Sequence, residues 1–245
     1  MRTVRLLIAF QGTHYLGWQS QRNGKTLQEL FETLLAKIFK EKINLHGSSR
    51  TDSGVHARGF VAHFKAPSAL PDHKIKDALN FYLPQDVVVL SARTVADAFH
   101  ARYHAKSKTY QYEIWNHRTR PVFDKAPFVL WVPTKLDVRA MRQAAKHLVG
   151  KHDFSAFRDS GDDERSAVRN IKSLTILKNG NNISIKVNGD GFLKHMVRII
   201  VGTLISVGRG KLPTKHTITL LKSKDRKKSG PAAKSQGLTL LQVRY

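Results

Sequence analysis

The sequence predicts an α+β fold built from two similar halves with antiparallel sheets. Two observations support this prediction. Strand and helix patterns alternate through the first ninety or so residues in the order βαββαβ, which is the split-βαβ or ferredoxin-like arrangement. A looser version of the same order follows, with alternating strand patterns around helical ones. No residue-level repeat accompanies this order, so the similarity of the halves is inferred from the elements alone.

The first half begins with an apolar strand and a helix that has a clear start signal. Val4 to Phe10 has the composition of a buried strand. Thr26 and Glu29 form a capping box, and the residues that follow place their apolar side chains on one helical face. The remaining predicted elements are strands at 42–45 and 59–64, a helix at about 72–82 and a strand at 87–90.

The second half contains alternating strand patterns and two longer helical patterns. Lys108 to Trp115 alternates as a strand, and a helix from about Leu193 to Val207 is apolar nearly all round, which predicts that it is buried. The other predicted elements are strands at 128–132, 171–177, 183–187 and 238–243 and a helix at about 136–148. We place the domain boundary after residue 104, which gives domains 1–104 and 105–245, and two such halves would leave a cleft between them.

The charge of the chain predicts an anionic partner. Lys and Arg total 42 against 18 Asp and Glu, a formal net charge of +24 that is spread along the chain. Nucleic acid is the commonest partner for such a surface, whereas a merely basic protein or one that binds acidic lipid is the alternative. Two polar segments, 158–166 and 222–234, have the composition of mobile solvated loops, and the second carries six cationic residues.

Composition also limits the possible cysteine chemistry and the cellular compartment of the protein. The chain has no Cys, which excludes disulfides, thiolate catalysis and zinc sites built on Cys. The apolar run Leu6–Phe10 is too short for a secretory signal, and the longest apolar stretch, Met196–Val207, is interrupted by Arg198 and too short to span a membrane. These features predict a soluble cytoplasmic protein without membrane association.

The most informative segment is the polar loop Gly47–Ala57, with the sequence GSSRTDSGVHA. It holds Arg50 and Asp52 between two apolar runs, and functional side chains concentrate on loops of this kind. A lone loop Asp commonly bonds neighbouring amides in a turn, so a structural role is the alternative to a catalytic one. Arg50 and Arg198 would favour the ionised form of Asp52, which nucleophilic attack requires.

Arg198 and two tyrosines also have both structural and functional interpretations. A guanidinium in an apolar helix needs an acidic partner, because an unpaired buried charge is costly, and a purely architectural ion pair would meet that need. Tyr110 and Tyr112 are two residues apart on one face of a strand, where either could be a core aromatic.

Histidines near the loop raise the question of a metal site. The positions concerned are His56, His63, His100 and His104. Neither H-E-x-x-H nor H-x-E with C-x-x-C is present, and no helical pattern covers the last two histidines. We therefore predict no metal site.

Taken with the rest of the chain, the loop resembles the TruA-type tRNA pseudouridine synthases, whose pattern is close to G-R-T-D-x-G-V-H-A. Departures from the family are Phe10-Gln11-Gly12 in place of Y-D-G, and Ser48-Ser49 before Arg50. The resemblance nevertheless covers essentially the whole chain. Further matching segments are 15–21, 78–80 with 83–87, 99–102, 108–112, 152–157, 168–171, 192–198 and 237–245.

This resemblance implies a fold, a reaction and a set of roles. The fold would be two ferredoxin-like halves with joined sheets and an active-site cleft between them. Asp52 would be the catalytic nucleophile paired with Arg198, and Tyr110 would stack on the target uracil and take the proton from C5. Arg50 would fill the space left by the target nucleotide, which must leave its stack to be reached.

The implied reaction is the isomerisation of uridine to pseudouridine at positions 38, 39 and 40 in the anticodon stem-loop of tRNA. The resemblance implies a homodimer and neither a cofactor nor a metal. It leaves open whether Asp52 attacks C1′ of the ribose or C6 of the uracil. A non-catalytic basic RNA-binding module or RNA chaperone on the same sheets is the main alternative. A phosphodiesterase is a weaker one, since the sequence around Asp52 lacks a carboxylate cluster for metals.

Overall fold

Apolar strands and amphipathic helices build a mixed α+β fold in which most strand pairs are antiparallel. The computed structural model describes residues 1–159, 161 and 166–245, so most of the polar segment predicted at 158–166 lies outside the described residues. Two compact units are present, one formed by residues 1–106 with 239–245 and the other by residues 107–238. Within the described ranges, no helix has both the length and the apolar character that crossing a bilayer requires.

The first unit has the predicted βαββαβ order along residues 1–106. β1 pairs with β3 and β4, and β2 pairs with β3, all antiparallel, whereas β10 runs parallel to β3. β10 carries its number because it follows the strands of the second unit. The elements are β1 (Arg2–Phe10), α1 (Leu27–Phe39), β2 (His46–Gly47), β3 (His56–Ala66), α2 (Asp72–Tyr82), β4 (Val87–Val95) and β10 (Leu238–Arg244).

The start of α1 and its buried face follow the sequence pattern. The Thr26 hydroxyl accepts a hydrogen bond from the Glu29 amide at 3.4 Å, which caps the helix as predicted. Leu27, Phe31 and Leu35 are fully buried on one face of the helix. Removing each such side chain from water contributes about 1.5–3 kcal/mol to folding.

The predicted strand at 42–45 is wrong, because β2 comprises only His46 and Gly47. Side chains of α1 satisfy the backbone that precedes it. The Leu45 amide donates to Oε1 of Glu32 at 3.0 Å, and the Leu45 carbonyl accepts from Nε2 of Gln28 at 3.2 Å. Because both the amide and the carbonyl of Leu45 are hydrogen-bonded to side chains of α1, they are satisfied without a neighbouring strand.

Within the described residues of the second unit, an antiparallel sheet is joined to three α-helices, and α3 packs against both α4 and β8. β5 pairs with β9, β9 with β8 and β8 with β7, while β6 lies parallel to β5. As predicted, α4 is buried along almost its whole length. The elements are β5 (Ser107–Asn116), β6 (Leu130–Val132), α3 (Val138–Lys146), β7 (Gly150–Asp153), β8 (Val168–Asn179), β9 (Asn182–Gly189), α4 (Met196–Gly208) and α5 (His216–Ser223).

Two boundaries in this part of the chain differ from prediction. α4 begins at Met196 rather than near Leu193, because His195 has a left-handed backbone with φ of 58° that cannot continue a right-handed helix. The last strand was assigned to the second half, whereas residues 239–245 belong to the first unit. The pairing of Thr239 with His56 and the contact of the Lys106 amide with the Arg244 carbonyl at 2.8 Å hold it there.

The basic segment 222–234 is not the solvated loop that its composition predicts. The Gly230 amide donates to Oγ1 of Thr203 at 3.0 Å, and the Ala233 amide donates to the Arg198 carbonyl at 3.0 Å. A Cβ at Gly202 would collide with the Pro231 carbonyl oxygen, so this glycine lets the segment lie directly on α4. The lysines of the segment project from a backbone that is packed against the unit.

Candidate active site

The loop between β2 and β3, residues 48–55, carries two of the four predicted site residues. Arg50 is exposed and Asp52 is half-buried, whereas Thr51 and Val55 on either side are buried. The Val55 amide donates to the Asp52 carbonyl at 3.2 Å, and Gly54 supplies the positive φ of 77° that this turn requires. We call this segment the Asp52 loop.

A second segment of the same unit, residues 12–18, holds the Asp52 loop by main-chain hydrogen bonds. The Trp18 amide donates to the Thr51 carbonyl at 3.1 Å. In the other direction, the Tyr15 carbonyl accepts from the Gly54 amide and from the Ser53 hydroxyl, both at 3.3 Å. These bonds fix the backbone on both sides of Asp52.

Two glycines make this close approach possible. Gly17 has φ of 95°, and a Cβ there would collide with the Thr51 carbonyl oxygen. A Cβ at Gly12 would collide with the Val55 carbonyl oxygen, and the Gly12 amide donates to Nδ1 of His56 at 3.1 Å. The sequence pattern identified these residues as part of a motif without indicating this physical role.

The side chain of Tyr15 is itself held in place by burial and by a hydrogen bond. Its ring is buried, with 2% exposed, and its hydroxyl donates to Oδ1 of Asp86 at 2.9 Å. Burial, followed by the hydrogen bond and the charge of Asp86, raises the pKa of Tyr15 well above its usual range. Trp18 stacks on Phe60 of β3 with ring centroids 4.0 Å apart. The support of the Asp52 loop is therefore a packed and hydrogen-bonded part of the unit.

The histidines near the loop form a structural cluster. His46 and His63 are paired in β2 and β3 with ring centroids 5.1 Å apart, and His100 lies 4.7 Å from His63. Nδ1 of His63 accepts from the Ala101 amide at 3.2 Å. Burial, then the charges of His100 and His46, lowers the pKa of His63 to about 4, so that it is neutral at pH 7. Among the described residues, no three His, Asp or Glu side chains are arranged to hold a metal ion.

The structure separates Tyr110 from Tyr112, which the sequence does not. Both are buried on β5. The Tyr112 hydroxyl donates to the Lys234 carbonyl at 2.6 Å, and burial raises its pKa. The Tyr110 ring packs edge-on against Phe192 at 5.3 Å and 89°. The Tyr112 hydroxyl is thus committed to a main-chain carbonyl of the same unit.

Arg198 lies in the first turn of α4 and is partly exposed. Its Nε donates to the Ala233 carbonyl at 2.7 Å, while the Ala233 amide donates to the Arg198 carbonyl. The acidic partner expected for this guanidinium stays a prediction, and the bond to the carbonyl is one that the sequence does not indicate. This bond fixes the direction of the side chain. Arg50 and Asp52 thus share one loop of the first unit, and Tyr110 and Arg198 lie on a strand and a helix of the second.

Comparison with known proteins gives the family. The family described as tRNA pseudouridine synthase matches residues 6–104 and 144–245. The chain is 45% identical to tRNA pseudouridine synthase A 2 of Clostridium perfringens over 245 residues, and 45% identical to tRNA pseudouridine synthase A of a Thermoanaerobacter species over 246. Each alignment covers 100% of both proteins. The chain belongs to the tRNA pseudouridine synthase family, as the TruA-type resemblance predicted, and is an isomerase.

Similarity to solved structures is weaker. The chain aligns with a structure of an H/ACA RNP bound to a substrate RNA containing 2′-deoxyuridine at 12% identity and a TM-score of 0.40. That alignment covers 83% of this chain and 44% of the other.

Proposed function

We propose that this protein isomerises uridine to pseudouridine in the anticodon stem-loop of tRNA, at positions 38, 39 and 40. The observation that carries the proposal is 45% identity over the full length to relatives named tRNA pseudouridine synthase A or A 2. The main-chain hydrogen bonds that hold the Asp52 loop agree with it. In this reaction the N1–C1′ bond breaks and the uracil rotates while bound. A C5–C1′ bond forms, C5 loses its proton, and N1 gains one, so the mass is unchanged.

We propose Asp52 as the nucleophile. Its backbone is fixed from both sides by residues 12–18, which keeps the carboxylate in one position, and positioning of reacting groups is a large part of catalysis. The carboxylate bonds either to C1′, displacing N1, or to C6 of the uracil. On the C1′ route C5 displaces the carboxylate from C1′ as the C5–C1′ bond forms. On the C6 route the carboxylate leaves C6 after that bond has formed.

The other three residues receive roles that fit their surroundings. Tyr110 stacks on the uracil, and its hydroxyl oxygen takes the C5 proton as its own proton passes to solvent. Base stacking on an aromatic ring is worth about 1–3 kcal/mol. Arg50 is exposed, as a side chain that enters the space of an extruded nucleotide must be. Arg198 is the catalytic arginine, and its bond to Ala233 keeps its guanidinium in place.

We also propose that each unit is a ferredoxin-like half and that the enzyme is a cytoplasmic homodimer. The first unit supports the fold assignment, because its strands pair in the order β4, β1, β3, β2 with α1 and α2 as the connecting helices. The TruA-type resemblance supports the dimer.

The proposed function is tested by mapping pseudouridine with carbodiimide in tRNA from cells with and without this gene. Pseudouridine at positions 38 to 40 should disappear on deletion and return when the gene is restored. Unchanged modification at all three positions in the deletion strain would contradict the proposal.

The charge of +24 predicts strongly salt-dependent binding of tRNA. Each phosphate contact releases counterions, and a protein with about six to ten of them loses roughly 10³–10⁵ in affinity between about 50 and 200 mM salt. Fluorescence anisotropy with labelled tRNA over this range measures the slope of log K against log salt. A slope near zero would show that the basic surface is not the site of RNA binding.

The anchor of Tyr15 on Asp86 gives a separate prediction. We expect Tyr15→Phe to lower the free energy of unfolding by about 1.5–3 kcal/mol, because one hydrogen bond to a carboxylate is lost. We also expect it to slow modification at saturating tRNA more than it weakens binding, since small shifts of a catalytic group cost up to about 10²-fold. Urea denaturation and single-turnover assays measure both, with Tyr103→Phe, a tyrosine 74% exposed in the same unit, as the control. A Tyr15→Phe enzyme with the wild-type rate would show that the anchor does not position Asp52.

A further inference from the structure

Directly after β5 lies the segment of residues 117–125, which we call the basic loop. It carries Arg118, Arg120 and Lys125 against a single Asp, a formal charge of +2 from three cations and one anion. The three cationic side chains are exposed. The loop lies outside the two ranges that the family matches, 6–104 and 144–245.

Two tryptophans anchor the basic loop. Nε1 of Trp115 donates to the Thr119 carbonyl at 3.0 Å, and Nε1 of Trp131 donates to the His117 carbonyl at 2.8 Å. These tryptophans are paired in register on β5 and β6, so both anchors come from one side of the sheet. The Lys125 ammonium lies 4.4 Å from the centre of the Trp115 ring. The loop is thus fixed at its base and at Lys125.

The tip of the loop presents an apolar side chain at an energetic cost. Phe123 is 86% exposed and Val122 beside it is 57% exposed. Phe123 also has a left-handed backbone with φ of 56°, which costs a residue other than Gly about 1–2 kcal/mol. An aromatic ring held in water by a strained backbone points to a binding role, since neither feature stabilises the unit by itself.

We propose that the basic loop binds an RNA strand of the substrate, with Phe123 stacked on an unpaired base and Arg118, Arg120 and Lys125 on neighbouring phosphates. Aromatic rings between cations are the usual surface for unpaired nucleic acid. A second copy of this chain fits less well, because it would bring like charges together. This inference rests on the proposed function, which supplies the tRNA substrate.

Binding of labelled tRNA to loop variants tests the proposal. Phe123→Ala should raise Kd about tenfold or more, given about 1–3 kcal/mol per stacked base, with no change in salt slope. Arg118→Gln with Arg120→Gln should reduce the salt slope by about 1.4–1.8, given about 0.7–0.9 per phosphate contact. Single-turnover rates at tRNA concentrations below saturation should fall in the same proportion as the affinity in both variants. Leu177→Ala, which removes another exposed apolar side chain of the same unit, is the control.

Phe123→Gly tests whether misfolding explains the weaker RNA binding expected for Phe123→Ala. Gly adopts positive φ without strain, so this variant should equal or exceed the wild type in urea denaturation while it still weakens RNA binding. Phe123→Trp should retain the affinity, because it keeps an aromatic face.

Three results would separate the possibilities. Unchanged Kd and salt slope in the loop variants, in an enzyme that modifies positions 38 to 40, would overturn the loop proposal alone. Conversion of a dimer to a monomer by Phe123→Ala in sedimentation, with Kd unchanged for the monomer, would make the loop a contact between copies and also overturn it. A wild-type enzyme that binds tRNA through the loop without forming pseudouridine would overturn the proposed function and leave the loop assignment standing.

Discussion

Asp52→Asn is expected to abolish pseudouridine formation while tRNA binding persists. The amide has nearly the same shape as the carboxylate but cannot serve as the nucleophile. The bonds that hold the loop are made by the Thr51 carbonyl, the Gly54 amide and the Ser53 hydroxyl, so the substitution leaves them in place. Single-turnover assays and anisotropy on the same tRNA measure the two quantities.

A loop variant that spares the carboxylate provides the matched control for Asp52. Ser53→Ala removes the hydroxyl bond to the Tyr15 carbonyl and leaves the main-chain bonds in place. We expect it to retain most of the activity. Appreciable turnover by Asp52→Asn would refute the nucleophile assignment, and equal losses in the two variants would attribute the effect to loop geometry.

Tyr110→Phe is expected to keep most of the affinity for tRNA and to lose about 10²–10⁴-fold in rate. Stacking needs only the ring, whereas proton transfer needs the hydroxyl. Tyr112→Phe is the matched control on the same strand. It loses the bond to the Lys234 carbonyl and should lower the free energy of unfolding by about 1 kcal/mol with little change in rate.

The two tyrosine variants are compared in single-turnover assays on an anticodon stem-loop and by urea denaturation. A large rate defect confined to Tyr110→Phe would support its role in proton transfer. Similar mild defects in both variants would show that Tyr110 is a sheet aromatic.

The elements that the sequence predicted well are those with a local signal. The Thr26 cap, the helix at 72–82 and the strands β1 and β5 each depend on residues a few positions apart. His195 shortens α4 because its backbone is left-handed. The sequence does not indicate this conformation, since the residue is neither Gly nor Asn. The packing of 222–234 on α4 depends on Gly202, whose meaning appears only when the distant segment is in place.

The candidate site also combines features that have a local sequence signal with features that depend on distant contacts. Asp52 and Arg50 are predicted as site residues because a motif gathers them in one short loop. Their support from Tyr15 and Asp86 is made mainly by main-chain atoms and by a bond between residues 71 positions apart. A main-chain carbonyl can accept a hydrogen bond in any residue type, so the sequence does not indicate these bonds. Only Gly12 and Gly17 indicate a close approach of the two segments. The roles of Tyr110 and Tyr112 depend on where their hydroxyls point, which strand periodicity does not specify.

The pairing of β10 with β3 has a consequence for the order of folding during synthesis. Residues 107–238 are translated between the two parts of the first unit. The first unit, which carries Asp52, therefore cannot be completed until the whole of the second unit has been translated. Until β10 emerges from the ribosome, β3 lacks its parallel partner at His56 and Ala57, directly after the Asp52 loop. An unpaired strand edge is a site for wrong association. A chain stalled before residue 239 would therefore contain a fully translated second unit and a first unit in which β3, directly after the Asp52 loop, lacks its parallel neighbour.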